Sequence, residues 1–270
     1  MRIFYGAERN KMVKGISFQG YIPLRLEPDH SSEMLSQVLF GERFSIKEEI
    51  REWLLIDLDF DASVGWIRKE SIQVLESADG SNKTDPEHRI VSFPAITALD
   101  LSSGQQLILP AGSKWPSSSK TMIMPGDRYF EVLSKEGLQT PSVDVDPEDA
   151  GERLLSLPYL PGGRCGFGFD APGLVQMLCR LRRLNLPRTS ISQAELGSTI
   201  NFIHEVKAGD LAFFDNEEGE IDHVGLLLEG GRILHAHHRV RIDRFDQQGI
   251  YCPEKDKYTH KLRIIKRLEV

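Results

Sequence analysis

Cysteine is scarce in this chain: Cys165, Cys179 and Cys252 are the only three among 270 residues, and none falls in a CxxC or metal-type spacing. An odd, sparse set excludes a disulfide framework and fits free thiols in a reducing compartment. Also absent is any run close to the roughly 20 apolar residues that a membrane-spanning helix needs. The first residues, Met1-Arg2-Ile3-Phe4-Tyr5-Gly6-Ala7-Glu8, lack the apolar centre of a secretory leader. Positive charge is in deficit, with 33 Lys and Arg against 40 Asp and Glu and a formal net charge of −7. That balance argues against a nucleic-acid partner and against an anionic membrane surface. The expected compartment is the cytoplasm if the N-terminus is native, or the cell envelope if a leader has been removed.

What is present is ordinary for a globular protein, 40% apolar and 27% charged, and long enough for two or three small cores. Between about 15 and 77, Tyr21-Ile22-Pro23-Leu24-Arg25, Val38-Leu39-Phe40, Arg43-Phe44-Ser45-Ile46, Trp53-Leu54-Leu55-Ile56 and Val64-Gly65-Trp66-Ile67 read as short strands. Glu27-Pro28-Asp29 and Phe40-Gly41-Glu42 supply turns. Short, evenly spaced strands predict a small barrel, and the Pro-Leu-Arg, Leu-Phe-Gly-Glu, Trp-Leu and Gly-Trp-Ile segments resemble a bacterial SH3-like domain over 1–77. A polar, breaker-rich linker is expected over 78–89. A second, more divergent SH3-like barrel is expected over 90–140, from Gln106-Leu107-Ile108-Leu109 and Tyr129-Phe130-Glu131-Val132, with Pro125-Gly126-Asp127-Arg128 as its last turn.

From 141 onward helices precede strands, an α+β layout. Asp146-Pro147-Glu148-Asp149 predicts a helix start, running to about Leu157. Leu174, Val175, Leu178, Leu181 and Leu184 mark a second helix over about 172–184. Strands are expected at Asp210-Phe214, His223-Leu228, Arg232-Ala236 and His260-Ile265.

The mouth of that second helix carries the chemistry. A nucleophilic cysteine works best at a helix N-terminus, where unpaired N–H groups and the helix dipole favour thiolate. A histidine on a neighbouring strand serves as base and a third polar group orients it. Here Asp170 is placed to cap the helix, Gly173 permits close approach, and His223 and His235 lie on strands that a hairpin can bring together. At the nucleophile position itself stands Ala171.

Residues 157–270 resemble the NlpC-type cell-wall peptidases, papain-like cysteine hydrolases of peptidoglycan peptides. The resemblance rests on Pro158-Tyr159, Gly162-Gly163-Arg164, Phe167-Gly168-Phe169-Asp170, Leu186-Pro187-Arg188 with Gln193, and Ala208-Gly209-Asp210-Leu211-Ala212-Phe213-Phe214. It continues through Ile221-Asp222-His223-Val224-Gly225, Ile233-Leu234-His235-Ala236 and Val240-Arg241-Ile242-Asp243. The implied fold is two SH3-like β-barrels followed by a papain-like α+β domain over 141–270. The implied activity is that of a γ-D-glutamyl-L-diamino acid endopeptidase, in which an SH3-like domain narrows the cleft and helps select a free peptide N-terminus. The resemblance makes His223 the base, His235 its orienting partner and Tyr159 a residue near the oxyanion. It places Asp170 where the substrate amino group is held and Arg188 among the ligand-binding residues. It implies no cofactor and makes peptidoglycan-derived peptides or a protein the expected partner.

Departures surround Ala171. Pro161 replaces a Trp usual before Gly-Gly, Pro172 replaces a Ser, and His237 and His238 replace small residues. A designed Cys-to-Ala change would leave its neighbours family-like, so the expectation is an inactive homologue that binds muropeptides or a protein. The alternative is an active endopeptidase whose cysteine was replaced by engineering, or is rescued by Cys165. Cys179 lies roughly 12 Å along the helix from Ala171 and is expected to be a packed thiol. His235 and His237 share a strand face, but no three- or four-ligand set with them is visible in the sequence, so no metal site is expected.

Overall fold

In the computed structural model the described residues are 13–75, 88–91, 94–116, 120–124, 128–134, 136–140 and 145–269. The chain divides into two compact units, Met1–Pro141 and Ser142–Val270.

Alternating apolar residues build the described part of the first unit mainly from strands, with one 3-10 turn at Lys69–Ser71. Its first sheet holds β1 (Val13–Ser17), β2 (Tyr21–Arg25), β3 (Met34–Leu39), β4 (Arg43–Ile50), β5 (Trp53–Leu58), β6 (Val64–Arg68) and β7 (Ile72–Leu75) in the order β3-β2-β6-β5-β4-β1-β7. Each pairing is antiparallel. Ile22, Leu24, Val38, Phe44, Ile56 and Ile67 fill its interior. Strands β1 and β7, at the ends of the segment, were not distinguished in the sequence.

The following residues form β8 (His88–Val91), β9 (Ala95–Asp100), β10 (Gln105–Pro110), β11 (Lys114–Pro116), β12 (Thr121–Met124), β13 (Arg128–Val132) and β14 (Leu138–Gln139), in sheets β10-β9-β13-β12 and β11-β8-β14. The expected linker lies outside the described residues up to 87, and His88 and Arg89 belong instead to β8. The turn expected at 125–127 also lies outside them. The first strand set has its own core but also lends residues to that of the second: Ile16 and Phe40 pack with Val91, Trp115, Phe130 and Val132. Phe40 stacks on Trp115 at 6.0 Å and meets Phe130 edge-on at 5.2 Å. A small barrel buries too little surface alone, so sharing aromatics offsets the shortfall.

In the second unit, Asp146 accepts from the Glu148 N–H and caps α1 (Pro147–Glu152). This helix is shorter than expected, since Leu154 and Leu157 close into turns and Ser156 takes a left-handed φ of 68°. The hairpin β15 (Arg164–Cys165) and β16 (Gly168–Phe169) leads into α2 (Ala171–Leu181), nearly all of which is buried, and α3 (Ser190–Ala194) follows. The remaining strands are β17 (Ser198–Ile200), β18 (Leu211–Asp215), β19 (Ile221–Leu228), β20 (Arg232–His237), β21 (Arg239–Asp246), β22 (Gly249–Cys252) and β23 (Lys257–Arg267). They run β17-β23-β18-β19-β20-β21-β22, and β22 also pairs with β23, so the sheet closes on itself. Ala212, Phe214, Leu227, Ile233, Phe245 and Ile250 line one face as its core.

Because Phe40 serves two strand sets, Phe40→Ala is expected to cost about 3–5 kcal/mol. Urea unfolding of the isolated 13–140 region, followed by the fluorescence of its three tryptophans, Trp53, Trp66 and Trp115, should show one transition shifted to lower denaturant.

Candidate active site and its buried imidazoles

Asp170 holds the mouth of α2. Its Oδ1 accepts from the Gly173 N–H at 2.8 Å, and its Oδ2 accepts from the Gly162 N–H at 3.0 Å and from Arg188. The first bond is a helix cap, and Pro172 sits in the first turn, where its missing N–H costs nothing. A Cβ on Gly173 would stand 2.1 Å from the Gly163 carbonyl oxygen, so only glycine lets the Gly162-Gly163-Arg164 loop cross the helix mouth. Asp170 therefore has a structural function that needs no ligand. Of the roughly four acceptor directions of a carboxylate, three are filled, leaving one on Oδ1.

Tyr159 is 42% exposed beside this carboxylate. Burial of its hydroxyl, then the Asp170 charge, pushes the phenol above its ordinary pKa. Arg188 is buried and pairs with Asp170. The Gln193 side chain donates to the carbonyls of Pro172 and Pro187, and Ser190 donates to the Ile221 carbonyl at 3.4 Å. Through α3 the helix mouth is thus tied to the start of β19, two residues before His223.

His223 and His235 meet diagonally across the hairpin, Nε2 to Nδ1 at 2.9 Å. His235 then bonds Asp243 through Nε2 at 3.0 Å, and Arg241 donates to the other oxygen of Asp243 at 2.7 Å. Burial alone would raise the Asp243 carboxyl, but the bonds from His235 and Arg241 outweigh it and hold it below its usual value. An ionised carboxylate only accepts, so His235 donates from Nε2 and, being neutral, accepts at Nδ1. His223 must then donate from Nε2, which leaves its Nδ1 as a free lone pair. Burial keeps both rings neutral: it lowers His223 well below the usual histidine value, helped by the neighbouring imidazoles. It also lowers His235 against the opposing pull of Asp243. One carboxylate thereby sets the tautomers of two histidines, the arrangement a general base needs.

The sequence reading did not single out Asp243 or Arg241 as site residues. Their signal was alternation on β21, where Arg241 lies opposite His235 and Asp243 opposite Ile233. It also missed His260. On β23 this ring stacks on His223 with centroids 4.1 Å apart, and burial lowers it to about 3. His237 lies 4.7 Å from His260, and burial, then the His238 charge, lowers it to about 4. His238 is exposed at the hairpin tip with φ of 60°. The expectation that no metal-type set exists needs correction: His223, His235 and His260 present ligand atoms all within 4.8 Å of one another. The third member lies 25 residues beyond His235 and arrives only because the sheet closes.

Ala171 is 2% exposed and offers no nucleophilic atom. Cys165 is fully buried in β15, and Cys179 is packed, its thiol pushed up to about 12 by burial.

Comparison with known proteins gives a match to the NlpC/P60 family over residues 156–259 and to the bacterial dipeptidyl-peptidase Sh3 domain over 24–72. The chain is 31% identical over 224 residues to a gamma-D-glutamyl-L-lysine dipeptidyl-peptidase of Bacillus subtilis, covering 74% of this chain and 71% of that protein. A protein of the same name from Bacillus cereus is 24% identical over 230 residues, covering 77% and 68%. An NlpC/P60 family crystal structure from Bacillus cereus superposes with a TM-score of 0.77 at 18% identity, over 94% of this chain and 99% of that one. An NlpC/P60 endopeptidase from Photobacterium damselae gives 0.71 at 15% identity, over 97% and 72%.

In native protein at pH 8, iodoacetamide should modify neither Cys165 nor Cys179 at the rate of a free thiolate, as read by peptide mass spectrometry. Rapid modification of Cys165 would reinstate it as a nucleophile. The imidazoles also give the unit a pH dependence. Their folded values lie below the unfolded value of 6.5, so the unfolded chain binds more protons once the pH falls beneath it. Melting in a chelating buffer should drop between pH 6.5 and 4, and less steeply in His260→Gln.

Proposed function

This chain belongs to the NlpC/P60 family, and from that premise we propose that it is a member without peptidase activity that binds γ-D-glutamyl-diamino acid peptides of peptidoglycan. The observation carrying this reading is Ala171, buried at the first position of α2, behind a cap and a loop crossing that are both in place. A thioester cannot form on a methyl group, whereas the binding features need no thiol. Asp170 keeps one acceptor direction, suited to a peptide ammonium, and exposed Tyr159 offers an aromatic face beside it. The name shared by the two Bacillus relatives, gamma-D-glutamyl-L-lysine dipeptidyl-peptidase, supports the choice of peptide class. Cys165 does not offer a rescue, since a fully buried thiol in a strand has neither access nor a helix terminus to favour its thiolate.

The ordered chain His223–His235–Asp243 favours a second reading, an active peptidase in which alanine replaces a single atom of an otherwise working site. The two are separated by Ala171→Cys. His223 is only 7% exposed and is covered by the stacked His260, so the single revertant is expected to give little turnover.

Purified chain should not release L-Ala-γ-D-Glu from L-Ala-γ-D-Glu-L-Lys, followed by chromatography, and calorimetry should show saturable binding of the same peptide. Asp170→Asn should weaken that binding, by up to about tenfold if one charge-assisted hydrogen bond of roughly 1.5 kcal/mol is lost. Robust turnover by Ala171→Cys would overturn the reading in favour of a working site missing one sulfur.

A further inference from the structure

Four histidines cluster on one face of the closed sheet. His223 comes from β19, His235 and His237 from β20, and His260 from β23, with ring centroids 4.1–6.4 Å apart. A base and its orienting partner account for His223 and His235. Nothing in that role calls for His260, which is half-buried and stacked against the base.

We infer that His223, His235 and His260 form a binding site for a divalent cation of the zinc class. The inference does not depend on whether the chain binds peptides. Three supports lie in the geometry. First, one nitrogen from each ring falls within 4.8 Å of the others, while the ligands of a tetrahedral zinc, at about 2.0–2.1 Å from the metal, stand roughly 3.3 Å apart. The His223 Nε2 and His235 Nδ1 pair must widen slightly from 2.9 Å, and the His260 ring must tilt out of its stack.

Second, the outer contacts of a metal-ligating histidine are already made. The Nε2–H of His235 donates to Asp243, which is itself held by Arg241. The Nδ1 of His260 bonds the Thr259 hydroxyl at 2.9 Å, leaving its Nε2 as the nitrogen to bind. Such partners fix ring orientation and raise ligand basicity.

Third, the proton balance closes. The proton on His223 Nε2 moves to the free Nδ1 of the same ring, so His223 presents Nε2 to the cation and all three imidazoles stay neutral. No proton is released overall. Imidazole ligands of this number suit zinc and its neighbours rather than magnesium or calcium, which prefer oxygen. Three protein ligands leave a fourth position, which half-buried His237 or water can fill.

The test uses the full chain after removal of metals by a chelator. Titration with Zn²⁺ in a calorimeter should show one saturable equivalent. Substitution with Co²⁺ should give visible d–d bands of tetrahedral strength, and proton NMR of that species should show hyperfine-shifted ring N–H signals from three histidines. His260→Gln should weaken Zn²⁺ binding, and Asp243→Asn should weaken it by about 10- to 100-fold. His30→Gln, whose ring packs on Trp53 in the other unit, should leave binding unchanged. Absence of saturable binding would overturn the inference. So would a weak octahedral Co²⁺ spectrum, fewer than three shifted histidines, or unchanged affinity in folded His260→Gln. Should His260→Gln fail to fold, the count of shifted signals in the unsubstituted chain decides the matter. Peptide binding is measured separately without metal, so either proposal fails on its own result.

Discussion

Closure of the C-terminal sheet by Lys257–Arg267 is the constraint on which the rest of the second unit hangs. This strand of 11 residues pairs with Leu211–Asp215 along one edge and with Gly249–Cys252 along the other, and register irregularities in both pairings let it bend between them. An open sheet would leave two rows of backbone N–H and C=O groups unpaired. The closed one hides them and creates an interior for Phe214, Phe245 and Ile250. In that interior a carboxylate, an arginine and two imidazoles are held out of water with their hydrogen bonds arranged in a single direction, and a third, half-buried imidazole stacks against them.

That direction runs from Arg241 through Asp243 and His235 to His223. Buried polar chains are stable when each member is satisfied and costly when one is not. Here the charged end is neutralised by Arg241, which also reaches exposed Glu254, so the charge does not stand alone in a low-dielectric setting. The other end is a lone pair on His223 Nδ1. With a thiol at the helix mouth such a lone pair is a base. With alanine there it is a nitrogen without a proton donor from that position. The site therefore combines well-ordered imidazoles with no nucleophile, and both proposals made for it follow from that combination: a peptide surface at the Asp170 helix mouth and a cation site among the rings.

The SH3-like half shows a different economy. The first strand set has its own interior, yet it gives up Ile16 and Phe40 to the second. Two segments that read as separate small barrels are joined by a shared aromatic cluster. Phe40, followed by Gly41 and Glu42, looked like a turn residue in the sequence, and its neighbours gave no sign that its ring would be buried against Trp115.

Several features were legible in the chain alone because they are local. Asp170 followed by Gly173 three residues later identifies a helix cap, alternation identifies the strands, and Ala171 needs no coordinates to show that it lacks a reacting atom. The meeting of His223 with His235 was accessible for the same reason, since a hairpin sets their strands side by side, with His235 opposite Gly225, two residues from His223. Tertiary structure decided the rest. Asp243 joins His235 only because β21 pairs beside β20, and His260 reaches His223 only because the sheet's last strand returns to close it. Loop-closing contacts of this kind depend on the whole set of strand pairings, and no spacing within one segment encodes them.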